Sequence, residues 1–300
     1  MSQNLELQKI RDFGELITDT FIFIRQNFKP LIKCFFIFCG FFLLAGAILS
    51  AIQQGKAVNT INDAFSTIQT GSRLNQTNPF AFFGVEYFLS ILFILLNYIA
   101  IQVTVYSYMC LYKVKGNEPP TIEEVWGYFK FFYLKILGSG ILLFILLMVG
   151  FLLCVIPGIY LYPVLALVFP IMIFENTSLR YAFNRSFRLI KDNWWLTFGT
   201  LFVVGLIVYF AAMALVLPAA LLNFSSFFLH PRGGLHISTT TTIITSILSH
   251  LSQLFYILPL VTLSLCYFSL AEKLDGTGLI ERISQIGNIR LDNNSHPEEY

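Results

Sequence analysis

Charge is scarce in this chain of 300 residues: Asp, Glu, Lys and Arg make up 12% of it, about half the share of an average soluble domain. The shortage is concentrated, because no charged residue occurs from Tyr87 to Tyr112 or from Ile136 to Phe174. Runs of that length belong to membrane spans. Histidine is scarcer still, with only His230, His236, His250 and His296. The five cysteines, Cys34, Cys39, Cys110, Cys154 and Cys266, all lie inside apolar runs and read as buried thiols, which excludes a disulfide framework. The first thirty residues carry Glu6, Lys9, Arg11, Asp12 and Glu15 but no apolar segment followed by a small-residue cleavage site, so no cleavable signal peptide is expected. A net charge of +2 leaves no nucleic-acid footprint. No phosphate loop, dinucleotide fingerprint, metal motif or nucleophile-base pair occurs in a fitting context. The expectation is a non-enzyme with no catalytic residue, no metal and no cofactor.

What the chain has instead is apolar length: 56% of it is hydrophobic. At 1.5 Å per residue the uncharged run from Ile136 to Phe174 would be about 58 Å long as one helix, about twice the hydrocarbon core, so it must be two spans. Pro157-Gly158 near its middle supplies the turn chemistry for the hairpin between them. Six spans follow, near 31–52, 87–112, 136–156, 159–174, 195–222 and 245–270. Residues 53–84 read as a long polar connection, and Pro163, Pro170, Pro218 and Pro259 as sites of kinking. The expected class is all-α, a polytopic membrane protein with a single integral domain over residues 1–290 and a disordered tail over 291–300.

Between the spans lie amphipathic stretches. The most pronounced runs from Ser178 to Gly199, where Leu179, Phe183, Phe187, Ile190 and Trp194 recur at helical steps while Arg180, Arg185, Arg188 and Lys191 fall off that stripe. It reads as a membrane-surface helix feeding a span. A first copy has Ile10, Phe13, Ile17, Phe21, Ile24 and Phe28, with Pro30 turning the chain into the bilayer. A third, weaker copy has Ile122, Trp126, Phe129 and Tyr133. Offsets of 166 and 105 residues superpose the later stripes on the first, and Ile24-Arg25-Gln26-Asn27-Phe28 matches Ile190-Lys191-Asp192-Asn193-Trp194. The chain therefore reads as three parallel repeats of surface helix plus transmembrane hairpin. With the N-terminus inside, sixteen of the nineteen Lys and Arg residues fall on the cytoplasmic side, leaving Lys56, Arg73 and Arg232 outside. Both termini are thus expected in the cytoplasm, with the protein in the inner membrane.

The segments R-D-F-G-E-L-I-x-D-T-F at Arg11 to Phe21, R-S-F-R-L-I-K-D-N-W-W at Arg185 to Trp195 and G-T-G-L-I-E-R-I at Gly276 to Ile283 together resemble a group of bacterial six-span membrane proteins. These are similar to the membrane domain attached to some glycerophosphodiester phosphodiesterases. The resemblance implies the fold and is silent on activity, since this chain has no room for the phosphodiesterase barrel. A carotene monooxygenase label also attaches to similar sequences; it implies iron held by several histidines, and four that do not recur from span to span do not supply that.

Two sets of residues are left as candidate sites. Arg180, Arg185, Arg188, Lys191 and Trp194 would form a patch for anionic lipid or for a membrane or cytoplasmic protein partner. Asn97, Thr104, Ser246, His250 and Gln253 would form a polar seam inside the membrane, serving either interhelical hydrogen bonding or a solute path. Glu86 and Glu175 fall at span ends, where an interfacial role is expected. The sequence points first to a scaffold, assembly or lipid-organising component, with a transporter or its accessory subunit as the alternative and a membrane-embedded carotenoid oxygenase as a remote third.

Overall fold

The structure, a computed structural model, describes residues 5–69, 84–229 and 239–276, and among these it is helical with no strand. The helices are α1 (Phe13–Gln69), α2 (Val85–Val114), α3 (Ile122–Leu153), α4 (Val155–Phe174), α5 (Leu179–Ile190), α6 (Trp194–Leu229), α7 (Thr239–Leu251) and α8 (Ile257–Asp275). Six stretches are long and apolar enough to cross a membrane, which makes this a multi-pass membrane protein.

Sequence and structure part at several boundaries. Alpha-helix α1 breaks not at Lys29-Pro30 but at Asn27, whose φ of −107° and ψ of 16° are non-helical. Pro30 then falls in the first turn of the second arm, where its missing N–H leaves no hydrogen bond unmade. The same helix runs on to Gln69, through much of the stretch read as a polar connection; its residues 53–69 hold no proline to stop it. Residues 1–4, 70–83, 230–238 and 277–300 lie outside the described residues, and with them His230, His236, His296 and the tail over 291–300. The hairpin between the third and fourth spans turns at Cys154, in extended backbone (φ −169°, ψ 146°), three residues before Pro157-Gly158. Pro157 instead sits in the first turn of α4, a position proline tolerates. Cys154, at that turn, is exposed and not buried as expected, while the other four thiols are buried. The expected second surface helix is no separate element: α3 runs unbroken from Ile122 through the third span. The sixth span is two helices joined by a 3₁₀ segment, Ser252–Tyr256. Pro259 explains the join, since its ring cannot pack against a helical carbonyl at Phe255.

Each hairpin has an outer and an inner helix. The most apolar windows of α1, α3 and α6 are 28%, 22% and 22% buried, whereas those of α2, α4 and the α7–α8 pair are 50%, 56% and 67% buried. Alpha-helices α2, α4 and α8 pack on one another in the centre, and the first helices of the hairpins lie outside them. Tyr106 against Phe174, and Phe174 against Phe268, knit the three inner helices near one end of the bundle, here termed the basal end.

The repeat offsets recur in the geometry. Among the described residues, positive φ occurs at Gly116, Asn117, Asn176 and Gly276, each just past the end of an inner helix. Such left-handed residues let the chain reverse while the last carbonyls are capped: Asn117 N–H reaches Tyr112 O at 2.9 Å, and Thr177 N–H reaches Met172 O at 3.2 Å. Asp19, Glu124 and Arg185 correspond under the same offsets, and each makes an ion pair, with Arg11 (2.7 Å), Lys115 (3.0 Å) and Glu175 (3.1 Å) respectively. The two units that carry asparagine, at Asn27 and Asn193, break between surface helix and span. In the third unit Phe132 stands at that position, and the helix runs through.

Candidate functional site

Two regions carry polar groups that packing alone does not require: the surface helices of the basal end, and the interior between α1, α2 and α7.

At the basal end, α5 folds back along α4. Arg185 meets Glu175 at the foot of α4, and the Trp194 indole N–H donates to Tyr160 O, in the first half of α4, at 3.1 Å. Ile190 of the expected stripe is buried and its Leu179, Phe183, Phe187 and Trp194 lie half-buried against the core, beside a more deeply buried face. Ala182, Ser186 and Leu189 are buried against the bundle, and Phe183 and Phe187 sit half-buried beside them. In the first arm of α1, Leu16, Thr20, Phe23 and Asn27 turn inward while Phe13, Phe21 and Phe28 stay exposed. At 100° per residue the aromatic sector lies roughly 100° round the helix from the inward one, with the same hand in both copies. In both copies an inward sector of mixed size, with Leu16, Thr20 and Phe23 in the first and Ala182, Ser186 and Leu189 in the second, faces protein, the remaining rings lie beside it, and a polar arc completes the turn.

That polar arc sorts the expected cationic patch. Arg180, Arg188 and Lys191 are exposed, on the side of α5 opposite its buried face. Arg185 is not available in the same way. Its side chain is 11% exposed, and its guanidinium holds both Glu175 and Asp275, with Nη1 to Asp275 Oδ1 at 3.2 Å. Burial opposes its charge, but the Asp275 and Glu175 carboxylates outweigh that and raise its pKa. Glu175 also accepts the Tyr267 hydroxyl at 2.9 Å, so it too belongs to an internal lattice. Trp194 stacks on Phe198 and Tyr160, leaving Trp195 as the exposed ring of the pair, at 79%. Glu86, the other expected span-end acid, pairs with Lys56 at the far end, and that hydrogen bond lowers its pKa.

In the interior the structure brings together four of the five expected residues and recruits others. Asn97 donates its amide to Gln253 Oε1, and Ser246 Oγ lies 3.1 Å from Ser50 Oγ and 3.0 Å from Gln54 Nε2. Thr104 stands apart, donating to Ala100 O on its own helix at 2.7 Å, with Cys39 Sγ 4.0 Å away. His250 Nδ1 lies 3.0 Å from Ser246 O. A carbonyl only accepts, so Nδ1 carries a hydrogen and donates, leaving Nε2 as the second ring nitrogen. That atom has no hydrogen-bond partner, nor do the buried Asn97 Oδ1 and Gln102 Oε1. The imidazole rests on the backbone of α1: a Cβ at Gly46 would stand 2.7 Å from Nε2. Sequence reasoning missed Gly46, Ser50, Gln54 and Gln102. The first three recur at steps of four, a small and polar stripe on the first span that would have marked its inward face.

Chemically the seam is a network of amides, hydroxyls and one imidazole joining three helices, with Asn97 Oδ1, Gln102 Oε1 and His250 Nε2 left without partners. Among the described residues no three of His, Cys, Asp and Glu converge as metal ligands. Comparison with protein-family models, with curated proteins and with solved structures finds no match.

Proposed function

We propose that the chain is a non-enzymatic protein of the bacterial inner membrane, with both termini in the cytoplasm, that organises anionic lipid and a protein partner through its basal surface helices. The observation that carries this is the division of α5: buried small residues toward the bundle, Phe183 and Phe187 beside them, and Arg180, Arg188 and Lys191 outward. A helix so divided lies in the interface with its rings at the acyl boundary and its cations among the head groups. Each basic group near an anionic surface contributes about 1 kcal/mol. The excess of Lys and Arg at the basal end supports a cytoplasmic setting for it.

A second reading, transport or an accessory role in it, is favoured by one observation: the unpartnered polar atoms Asn97 Oδ1, Gln102 Oε1 and His250 Nε2 inside the bundle. Affinity purification from native membranes together with reconstitution in liposomes separates the two. The scaffold reading expects a stoichiometric partner and no solute flux from the protein alone. Flux that His250→Ala abolishes at unchanged protein level would overturn it.

A further inference from the structure

The ends of α2 and α4 and the first turns of α3 enclose an open cavity of about 560 Å³ at the basal end. Its α3 wall consists of Glu123, Glu124, Gly127, Tyr128, Phe131 and Phe132. Under the 105-residue offset these positions correspond to Thr18, Asp19, Ile22, Phe23, Gln26 and Asn27 of the first surface helix. There the chain itself supplies a cover. Residues Leu5–Arg11 run back along α1, with Leu5 N–H on Gln26 Oε1 at 3.2 Å and Leu7 buried to 2%. The Arg11 guanidinium binds Asp19 Oδ2 at 2.7 Å and the carbonyls of Glu6, Leu7 and Lys9. Asp19 and Gln26 are thus the anchors of a short segment that bends round its own Arg11, and their counterparts Glu124, which holds Lys115, and Phe131 line an open cavity instead.

One other stretch of the chain carries the pattern of that cover. Leu7-Gln8-Lys9-Ile10-Arg11 is matched by Ile286-Gly287-Asn288-Ile289-Arg290, an aliphatic residue followed three and four positions on by Ile-Arg. Its starting point is close to the cavity: Asp275 is tied through Arg185 to Glu175, and the next residue, Asn176, lines the cavity. The ten Cα–Cα steps from Gly276 to Ile286 reach at most about 33 Å, ample for that span. Charge is complementary as well, since Arg290 would meet Glu123. Tethering makes even a weak segment an effective ligand, because its local concentration is millimolar.

We propose that this cavity is a peptide-binding groove for a short aliphatic-x-x-Ile-Arg segment, and that residues 286–290 of the chain's own C-terminal region occupy it. The aliphatic side chain enters the floor between Leu111, Ile173 and Phe132, and the arginine meets Glu123 beside the Glu124–Lys115 pair, where Arg11 meets Asp19 in the first unit.

The test uses a thiol placed in the wall. Gly127 has open space where a Cβ would be, so Gly127→Cys fits, and Cys154→Ser removes the exposed native thiol. In the full chain, maleimide labelling at position 127 is expected to be slow; ending the chain at Gly276 should speed it at least fivefold, and the synthetic pentapeptide Ile-Gly-Asn-Ile-Arg should slow it again. Arg290→Glu in the full chain should reproduce the truncation without altering any bundle residue. Equal rates in full and truncated chains would overturn the proposal. So would protection that survives Arg290→Glu, or protection lost only on delipidation, which would assign the cavity to an acyl chain.

Discussion

Replacing Asn27 by alanine tests the junction between surface helix and span, where the fold depends most on one polar side chain. Asn27 is 1% exposed; its amide donates to Phe23 O at 3.1 Å, and its oxygen accepts from the Tyr108 hydroxyl at 2.9 Å. Tyr108 is itself fully buried, so Asn27→Ala removes two hydrogen bonds, each about 1 kcal/mol net, and strands a phenolic hydroxyl at a further cost of about 1–3 kcal/mol. The expected loss is about 3–5 kcal/mol. Tyr108→Phe should cost about 1–3 kcal/mol, because it leaves only the Asn27 oxygen unmatched. The double variant should then be less destabilised than the two single effects combined, by about 1–2 kcal/mol. Asn193→Ala provides the contrast, since its oxygen takes only the exposed Lys273 ammonium at 2.8 Å, and it should cost under about 1 kcal/mol. The assay is reversible unfolding in mixed micelles with increasing denaturing detergent, followed by circular dichroism. An Asn27→Ala effect below about 0.5 kcal/mol, or strictly additive effects of Asn27→Ala and Tyr108→Phe, would refute the reasoning.

Gly46→Ala should destabilise by about 1–3 kcal/mol, because the new methyl carbon meets His250 Nε2 at 2.7 Å and the ring must leave its bond to Ser246 O; His250→Ala in the same chain should recover part of that loss in the same assay. The first turn of α3 should loosen in acid. Glu124 is held below the ordinary carboxylate range by the Thr121 backbone N–H and by Lys115, so its contribution is present above its unfolded pKa and is lost as pH falls through the folded one. Hydrogen exchange over residues 121–126, corrected for intrinsic rate, should therefore accelerate below about pH 4, where carboxylates protonate, and Glu124→Gln should abolish that dependence.

The six spans were legible because hydrophobic length is a property of composition; the inner position of α2, α4 and α8 left only a graded signal, since their most apolar windows are less apolar than those of α1, α3 and α6. The aromatic stripes of the surface helices were legible as apolar, but the inward face beside them was not: Leu16, Thr20, Phe23 and Asn27 pack on protein while Phe13, Phe21 and Phe28 stay exposed. Arg185 looked like its neighbours Arg180 and Arg188 because periodicity separates polar from apolar but not an arginine facing two distant carboxylates from one facing solvent. Pro157-Gly158 misplaced the hairpin by three residues, as a proline at a helix start reads like one in a turn. In the seam, Ser246, His250 and Gln253 stood out by polarity, whereas Gly46 functions by what it lacks.

The most direct measurement is anionic lipid retained by the protein in native nanodiscs, compared between two variants. Removing the outward cations together, with Arg180→Ala, Arg188→Ala and Lys191→Ala, should strip most of the bound anionic lipid and leave unfolding unchanged. Arg185→Ala should do the reverse, lowering stability by orphaning Glu175 and Asp275 while the lipid stays. Full retention by the triple variant would contradict the account, and so would loss of lipid from Arg185→Ala in a chain as stable as the parent.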